Sequence, residues 1–236
     1  MPSVHETPTS TPIPTTTATP PGIPTLAPSG PCANDYFPVV PNATWTYERT
    51  IDEKINRFRQ TVEEMDDTGF VLLLRFGGGG ERDVWACSPA GLANVEQYVT
   101  GPSGGPPPPG TVSFQHFRSQ GVSVPADVAV GSSWKQVVTS HAFFTVQGVR
   151  HREQQVVTTS YRAVAEERIE TPLGTFDTLK IETTSTTHKT APTFGNGIDQ
   201  TTISEFTQWW GLGVGLVKLS SDSSTGTIVL LGLRVQ

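Results

Sequence analysis

The sequence predicts an all-β domain with minor helix, built on one large antiparallel sheet with short hairpin connections. Three observations carry that reading. Apolar residues recur with period two or in short runs, turn residues punctuate them at short intervals, and no segment longer than ten residues keeps a 3.6-residue period. Short connections between consecutive strands make the pairing antiparallel.

The elements follow in order. Thr44–Ile51 alternates, and Ile55–Met65 continues the pattern with more polar residues. Asp66-Asp67-Thr68-Gly69 reads as a hairpin turn with Gly69 placed to take a positive φ. Phe70–Phe76 is a buried strand, broken by Gly77–Gly80. Val84–Cys87 and Leu92–Val99 form the next hairpin. Gly101–Gly110, with Pro106–Pro109 in a row, is a long loop at the midpoint of the domain. Trp134–Val146 and Val149–Val164 then make a long hairpin around Gln147-Gly148. Thr175–Thr187, Thr201–Trp210, Val214–Ser220 and Thr227–Val235 complete the series. Val40–Tyr47 and Val130–Val137 each place a Trp-bearing strand after a turn, a weak internal echo with a single pair of matches.

Ahead of the strands, residues 1–31 hold nine Pro and eight Thr. Pro removes backbone donors and fixes φ, and the segment has too little apolar surface to offset its ordering entropy. It reads as a PPII-like tether ahead of a single domain spanning 32–236, or as an arm that a neighbouring subunit accepts along a sheet edge. Met1 leads into PSVHETPTSTP with no apolar stretch, so no secretory signal is visible, and no run of 18 apolar residues predicts a membrane helix. Attachment to a membrane would need an anchor that these residues do not provide.

Charged residues make up 16% of the chain, against about a quarter in typical domains. The net charge is -6 and the sixteen basic residues are scattered, which argues against nucleic acid and anionic membrane surfaces. A neutral, hydroxyl-rich surface suits an extracytoplasmic protein of the cell envelope or a secreted one. The two cysteines, Cys32 and Cys87, then point to a disulfide, with two unrelated buried thiols as the alternative. Closing a loop of roughly 55 residues is worth about 4 kcal/mol in the chain-entropy account.

Three segments carry a resemblance. They are Tyr36-Phe37-Pro38-Val39 with Asn42–Tyr47, then Thr171–Ile181 (TPLGTFDTLKI), then Trp209–Lys218 (WWGLGVGLVK). They resemble a family of uncharacterised bacterial envelope proteins, often lipoproteins, similar in fold to the lipoprotein-carrier (LolA-like) half-barrels. That resemblance spans about residues 36–235 and implies a curved, half-barrel-like sheet wrapped around an apolar concave face. Its motifs are structural and assign no catalytic residue. This chain departs from the pattern at Trp210, where the family more often has Tyr, and it shows no lid helices.

The residues agree with a structural role. Pro172 and Gly174 suit a tight turn, and Gly211, Gly213 and Gly215 let a strand bend or approach another backbone. Trp45, Trp85, Trp134, Trp209 and Trp210 are core fillers for a curved sheet. Adjacent strand residues face opposite sides, so one of Trp209 and Trp210 is expected to be exposed or at an interface, which makes the pair the candidate binding surface.

Other chemistries lack their residues. Gly131-Ser132-Ser133 has no G-x-S-x-G frame, Gly77–Gly80 is not followed by Gly-Lys-Ser/Thr, and Gly211-x-Gly213-x-Gly215 precedes no helix. His141 and His151 flank one hairpin with Glu153 nearby, a thin basis for a metal site, and the Asp66-Asp67 turn is at best a weak calcium site. No catalytic, cofactor-binding or metal residues are assigned. The expectation is a non-enzymatic domain that binds a hydrophobic ligand or a protein partner on its curved face. The alternative is a self-assembling structural protein, a homo-oligomer joined through the N-terminal arm or through Thr227–Leu233 completing a neighbour's sheet.

Overall fold

The computed structural model describes Leu26 and residues 30–77, 79–100, 113–146, 149–192, 195, 197–221 and 226–235. Most of the 1–31 segment, the 101–110 loop and the Gln147-Gly148 turn lie outside the described residues. Regular structure within them is strand throughout: β1 (Thr44–Ile51), β2 (Lys54–Met65), β3 (Gly69–Phe76), β4 (Gly79–Ser88), β5 (Gly91–Thr100), β6 (Ser113–Gly121) and β7 (Val124–Pro125). There follow β8 (Ser133–Val146), β9 (Val149–Thr171), β10 (Gly174–Ala191), β11 (Ile198–Gly211), β12 (Gly215–Ser220) and β13 (Thr227–Arg234). All thirteen join one antiparallel sheet in the order β6-β8-β9-β10-β11-β12-β13-β1-β2-β3-β4-β5-β7. The all-β, curved antiparallel expectation holds.

The chain runs as two meanders, β1 to β5 and β8 to β13, welded where β13 pairs with β1 from Thr44↔Arg234 to Thr50↔Thr227. That weld settles the place of the C-terminal strand. β13 lies inside the sheet, bonded to β1 along its length and to β12 at Thr227, Ile228 and Val229. Thr227–Leu233 is therefore not an edge that could complete a neighbour's sheet, contrary to expectation, because its own N-terminal strand already occupies that position.

The sheet curls until its two ends approach without a ladder between them. Side chains bridge the gap instead. The Gln136 amide on β8 donates to the Asn94 carbonyl on β5 (3.1 Å) and to the Ser119 hydroxyl on β6 (2.9 Å). The Ser123 hydroxyl donates to Gln136 Oε1 (2.9 Å) and accepts from the Asn94 backbone N–H (3.0 Å). Gln136 and Ser123 are both buried, so the seam is dry enough for these bonds to hold the curl.

The concave face is divided. Where β1–β4 meet β10–β13 it is filled by Trp45, Tyr47, Phe70, Leu72, Ile181 and Trp210 among other core residues. Farther along the long strands β8–β10 it becomes mixed, with Ser140, Gln155, Thr159 and Ser185 beside Val138 and Val157 on that face by register. The apolar face that the envelope-family resemblance implies is met at an aromatic end and gives way to a mixed end where hydroxyls and amides interleave with valines.

Several local details differ from the sequence reading. The strand after the glycines resumes at Gly79, and Gly80 pairs with Arg75, so only the start of Gly77–Gly80 breaks the sheet. Gly69 is needed for space rather than for a positive φ: a Cβ there would collide with the Trp85 carbonyl oxygen on β4. The turn itself is made by Asp66, whose carboxylate accepts from the Thr68 N–H (2.7 Å), the Thr68 hydroxyl (2.8 Å) and the Gly69 N–H (3.0 Å). These bonds hold the Asp66 carboxyl below its usual range. β6 and β7 were not among the sequence-assigned strands.

Gly69→Ala is expected to destabilise the domain by about 1–3 kcal/mol, because the added methyl meets fixed backbone. Gly77→Ala, whose added Cβ meets nothing within 4 Å, is expected to stay within about 0.5 kcal/mol of the parent. Paired urea titrations of the two variants check this, and equal effects would refute the packing account of Gly69.

Candidate functional site: a cavity beneath a disulfide-pinned strap

Residues 30–43 cross the mouth of the concave face as a strap. Cys32 and Cys87 form a disulfide with Cα atoms 5.1 Å apart, fixing one end to β4. The Asn34 amide donates to the Pro125 carbonyl on β7 (2.7 Å), while its Oδ1 accepts from the N–H groups of Tyr36 (3.0 Å) and Phe37 (2.9 Å). Asn34 is only 3% exposed, so one side chain folds the strap and ties it to the sheet. Farther along, the Asn42 N–H donates to Val62 and the Val62 N–H donates to Ala43, leading the strap into β1. The N-terminal side is also held: the Leu26 N–H donates to the Gly213 carbonyl (2.8 Å) and Leu26 packs into the core. Ordered contact thus begins within the segment that composition assigns to a tether.

Beneath the strap lies a cavity of about 180 Å³. Phe37 from the strap, Trp45 and Tyr47 from β1, Trp85 from β4, Tyr161 from β9 and Trp210 from β11 form its aromatic walls. Phe37 stacks on Trp85 with centroids 5.1 Å apart, and Trp85 stacks on Phe70 at 5.7 Å. On the far side Trp134 stacks on Tyr161 at 5.1 Å and meets Trp210 at 6.0 Å. These contacts hold the rings in place, so the cavity is a gap between two fixed aromatic groups.

The polar ends of the aromatic groups are accounted for, with one exception. The Trp45 indole N–H donates to the Val214 carbonyl (2.6 Å) and the Tyr47 hydroxyl donates to the Leu216 carbonyl (3.1 Å). These carbonyls lie on the stretch that leads into β12 and that β13 leaves unpaired. Trp134 donates to the Ser123 carbonyl (3.1 Å), Trp210 to Gln208 Oε1 (2.9 Å) and Trp209 to Glu167 Oε2 (2.8 Å). Trp85 Nε1 alone among the five is buried with no hydrogen-bond partner.

One pleat away on the same face of β4 is Asp83, 8% exposed and also lining the cavity. Its Oδ1 is buried without a partner, and the Asn94 side chain supplies its one hydrogen bond. Burial, reinforced by the Glu81 carboxylate on the same face, pushes the Asp83 carboxyl up to about 7, and burial raises Glu81 too. The other titratable groups around the cavity are Tyr36, Tyr47 and Tyr161, each raised by burial, Tyr161 to about 12. An acid with an unpaired oxygen and an indole with an unpaired N–H thus both belong to the lining of the same aromatic space.

The sequence-assigned pair separates as parity requires. Trp210 faces inward and lines the cavity, at 6% exposed, and Trp209 is on the opposite face. The expected surface exposure of one member does not occur, because Trp209 is 9% exposed beneath Lys180 and Lys218, whose ammonium groups lie 5.9 and 5.0 Å from its ring centre. Glu167 joins this group through Lys180 Nζ (2.8 Å) as well as the indole, and those contacts hold its carboxyl below the usual range. His141 pairs across its hairpin with Gln154 and His151 with Phe144, a register that puts the two histidines on opposite faces. No group of three metal-ligating side chains occurs among the described residues. Asp83 was not among the sequence-derived candidates. Its signal was the i, i+2, i+4 parity of Asp83, Trp85 and Cys87, which forces an acid to face wherever the indole and the disulfide face.

No protein-family profile matches the chain, and no curated protein matches it. Two crystal structures are similar in fold, each match covering 85% of this chain and 99% of the other. One is a candidate lipoprotein from Parabacteroides distasonis, 14% identical with a TM-score of 0.43. The other is a candidate exported protein with a YmcC-like fold from Bacteroides fragilis, 13% identical with a TM-score of 0.42. Likeness at this level transfers no function.

The raised Asp83 pKa makes a signed prediction. Unfolded, the group titrates near its ordinary value of 3.8; folded, it holds its proton to about 7. Between those values the native state binds more protons, so stability falls as pH rises through the window, by on the order of 4 kcal/mol at most. Asp83→Asn is expected to remove that slope, so that the variant gains on the parent between about pH 4 and about pH 7. Urea titrations across this range, read as the difference between the two proteins, check it; a constant difference would show that Asp83 ionises normally.

Proposed function

We propose that this chain is an extracytoplasmic, non-catalytic β domain that binds a small ligand in the aromatic cavity beneath its strap. The observation that carries the reading is the pair Asp83 Oδ1 and Trp85 Nε1, two buried polar atoms left unpaired on residues that line one aromatic cavity. Buried polar groups are nearly always paired, and each one left open costs about 1–3 kcal/mol. A ligand that meets both turns that cost into recognition.

Size narrows the ligand. Drug-sized molecules occupy pockets of about 300–1,000 Å³, and an engineered cavity of about 150 Å³ takes benzene. At about 180 Å³ this cavity fits a molecule of the second kind and is too small for an acyl chain, so a lipid-carrier role of the type the half-barrel resemblance suggests is disfavoured. The disulfide supports an oxidising compartment. The lining supports a binding role: Ser123 is engaged by Gln136 and Asn94, and no histidine lines the cavity among the described residues.

Two measurements test the proposal. Intact mass before and after reduction is expected to differ by about 2 Da, and the reduced protein is expected to melt roughly 10 °C lower. No mass gain would remove the oxidising compartment from the argument. A thermal-shift screen with small polar fragments at millimolar concentration is expected to give stabilising hits that Trp85→Phe diminishes. A screen with no hits, together with a high-resolution map showing only ordered water in the cavity, would overturn the binding role.

A further inference from the structure

We infer that the cavity ligand is a small organic cation that carries an oxygen acceptor, a quaternary or methylated ammonium of choline size. This rests on the binding role proposed above and specifies its chemistry. The walls are built largely from the rings of Trp, Tyr and Phe, whose negative π-clouds attract a cation and favour a weakly hydrated alkylammonium over a strongly hydrated metal ion. Asp83 lines that space and carries a buried carboxyl oxygen with no partner. Glu81, on the same face of β4, adds a second acid, and no ion pair engages Glu81 or Asp83 among the described residues. The basic residue between them, Arg82, points to the other face and pairs there with Glu63 and Glu64. The inner face of β4 therefore carries two acids beside aromatic rings, and no described basic side chain compensates either.

The second open atom sets the other end of the ligand. Trp85 Nε1 is a donor only, so it asks for an oxygen. Asp83 and Trp85 sit two residues apart on one strand face, which separates their Cα atoms by roughly 6–7 Å. A choline-sized molecule can span that distance, with its ammonium toward Asp83 and its hydroxyl toward the indole. A purely apolar guest would leave both atoms open, and an anion would meet Asp83 and Glu81.

The test compares choline and tetramethylammonium with 3,3-dimethylbutan-1-ol, the uncharged carbon isostere of choline. Binding to the full chain is followed by tryptophan fluorescence and calorimetry at low ionic strength. Both cations are expected to bind, choline more tightly than tetramethylammonium, and the neutral isostere at least about tenfold more weakly than choline. Asp83→Asn is expected to erase the preference for charge, and Trp85→Phe the preference for choline over tetramethylammonium. The comparison among ligands on the parent protein needs no variant, so misfolding of either variant does not blunt it. Isostere and choline binding equally would overturn the cation assignment while leaving a ligand cavity in place. Failure of all three probes to bind would overturn the assignment too, and the fragment screen then decides whether the cavity binds anything.

Discussion

The interior of this domain depends on a strap held shut at both ends. A curved sheet alone would present its aromatic end to water, and rings of this size are the groups least suited to that exposure. The Cys32–Cys87 disulfide and the Asn34 side chain place Tyr36 and Phe37 over the opening. Phe37 then touches Trp45, Phe70 and Trp85, so the strap supplies the central ring of a stack contributed by three different strands. Removing the crosslink loosens more than one loop: it releases the element against which Trp85 is ordered, and with it one wall of the cavity.

The same logic explains why the sheet can be both open and well defined. Its ends are not joined by a ladder, and its interior pairing is incomplete between β12 and β13. At each gap a side chain from the concave face takes up the backbone groups that pairing would have used. Gln136 and Ser123 do so at the seam, and Trp45 and Tyr47 do so beside β12. Backbone polar groups have to be paired when buried, and here core residues meet that need while filling volume.

Most of the strand series was legible because period-two alternation and turn residues act locally. β1, β3 and the β8–β9 hairpin are visible in that way. β6 and β7 were not: Ser113–Gly121 alternates poorly, and Val124–Pro125 is two residues long and exists only through its pairing with β5. The role of Gly69 was misread for a related reason. A turn position suggests backbone freedom, but the demand comes from the β4 backbone beside it, which has no local signature. Trp209 and Trp210 were rightly placed on opposite faces, yet the cover on Trp209 comes from Lys180 and Lys218 on neighbouring strands. Pairing partners, rather than residue types, were what the sequence withheld, and the cavity is made wholly of such pairings.

Asp83 is costly where it stands. An isosteric apolar residue would fill the same space without a proton to hold or an oxygen to satisfy, and the fold has the means to satisfy such atoms, as the other four indoles demonstrate. The neighbouring Trp85 could likewise be Phe, keeping its stack with Phe37 and Phe70 while losing the open N–H. Two such costs on one strand face, opening into one cavity, are hard to explain as packing, because packing would be improved by removing either. They are accounted for if the free domain is the strained state and occupancy relieves it. The stability lost to an unpaired acid and an unpaired donor then reappears as affinity for the molecule that pairs them.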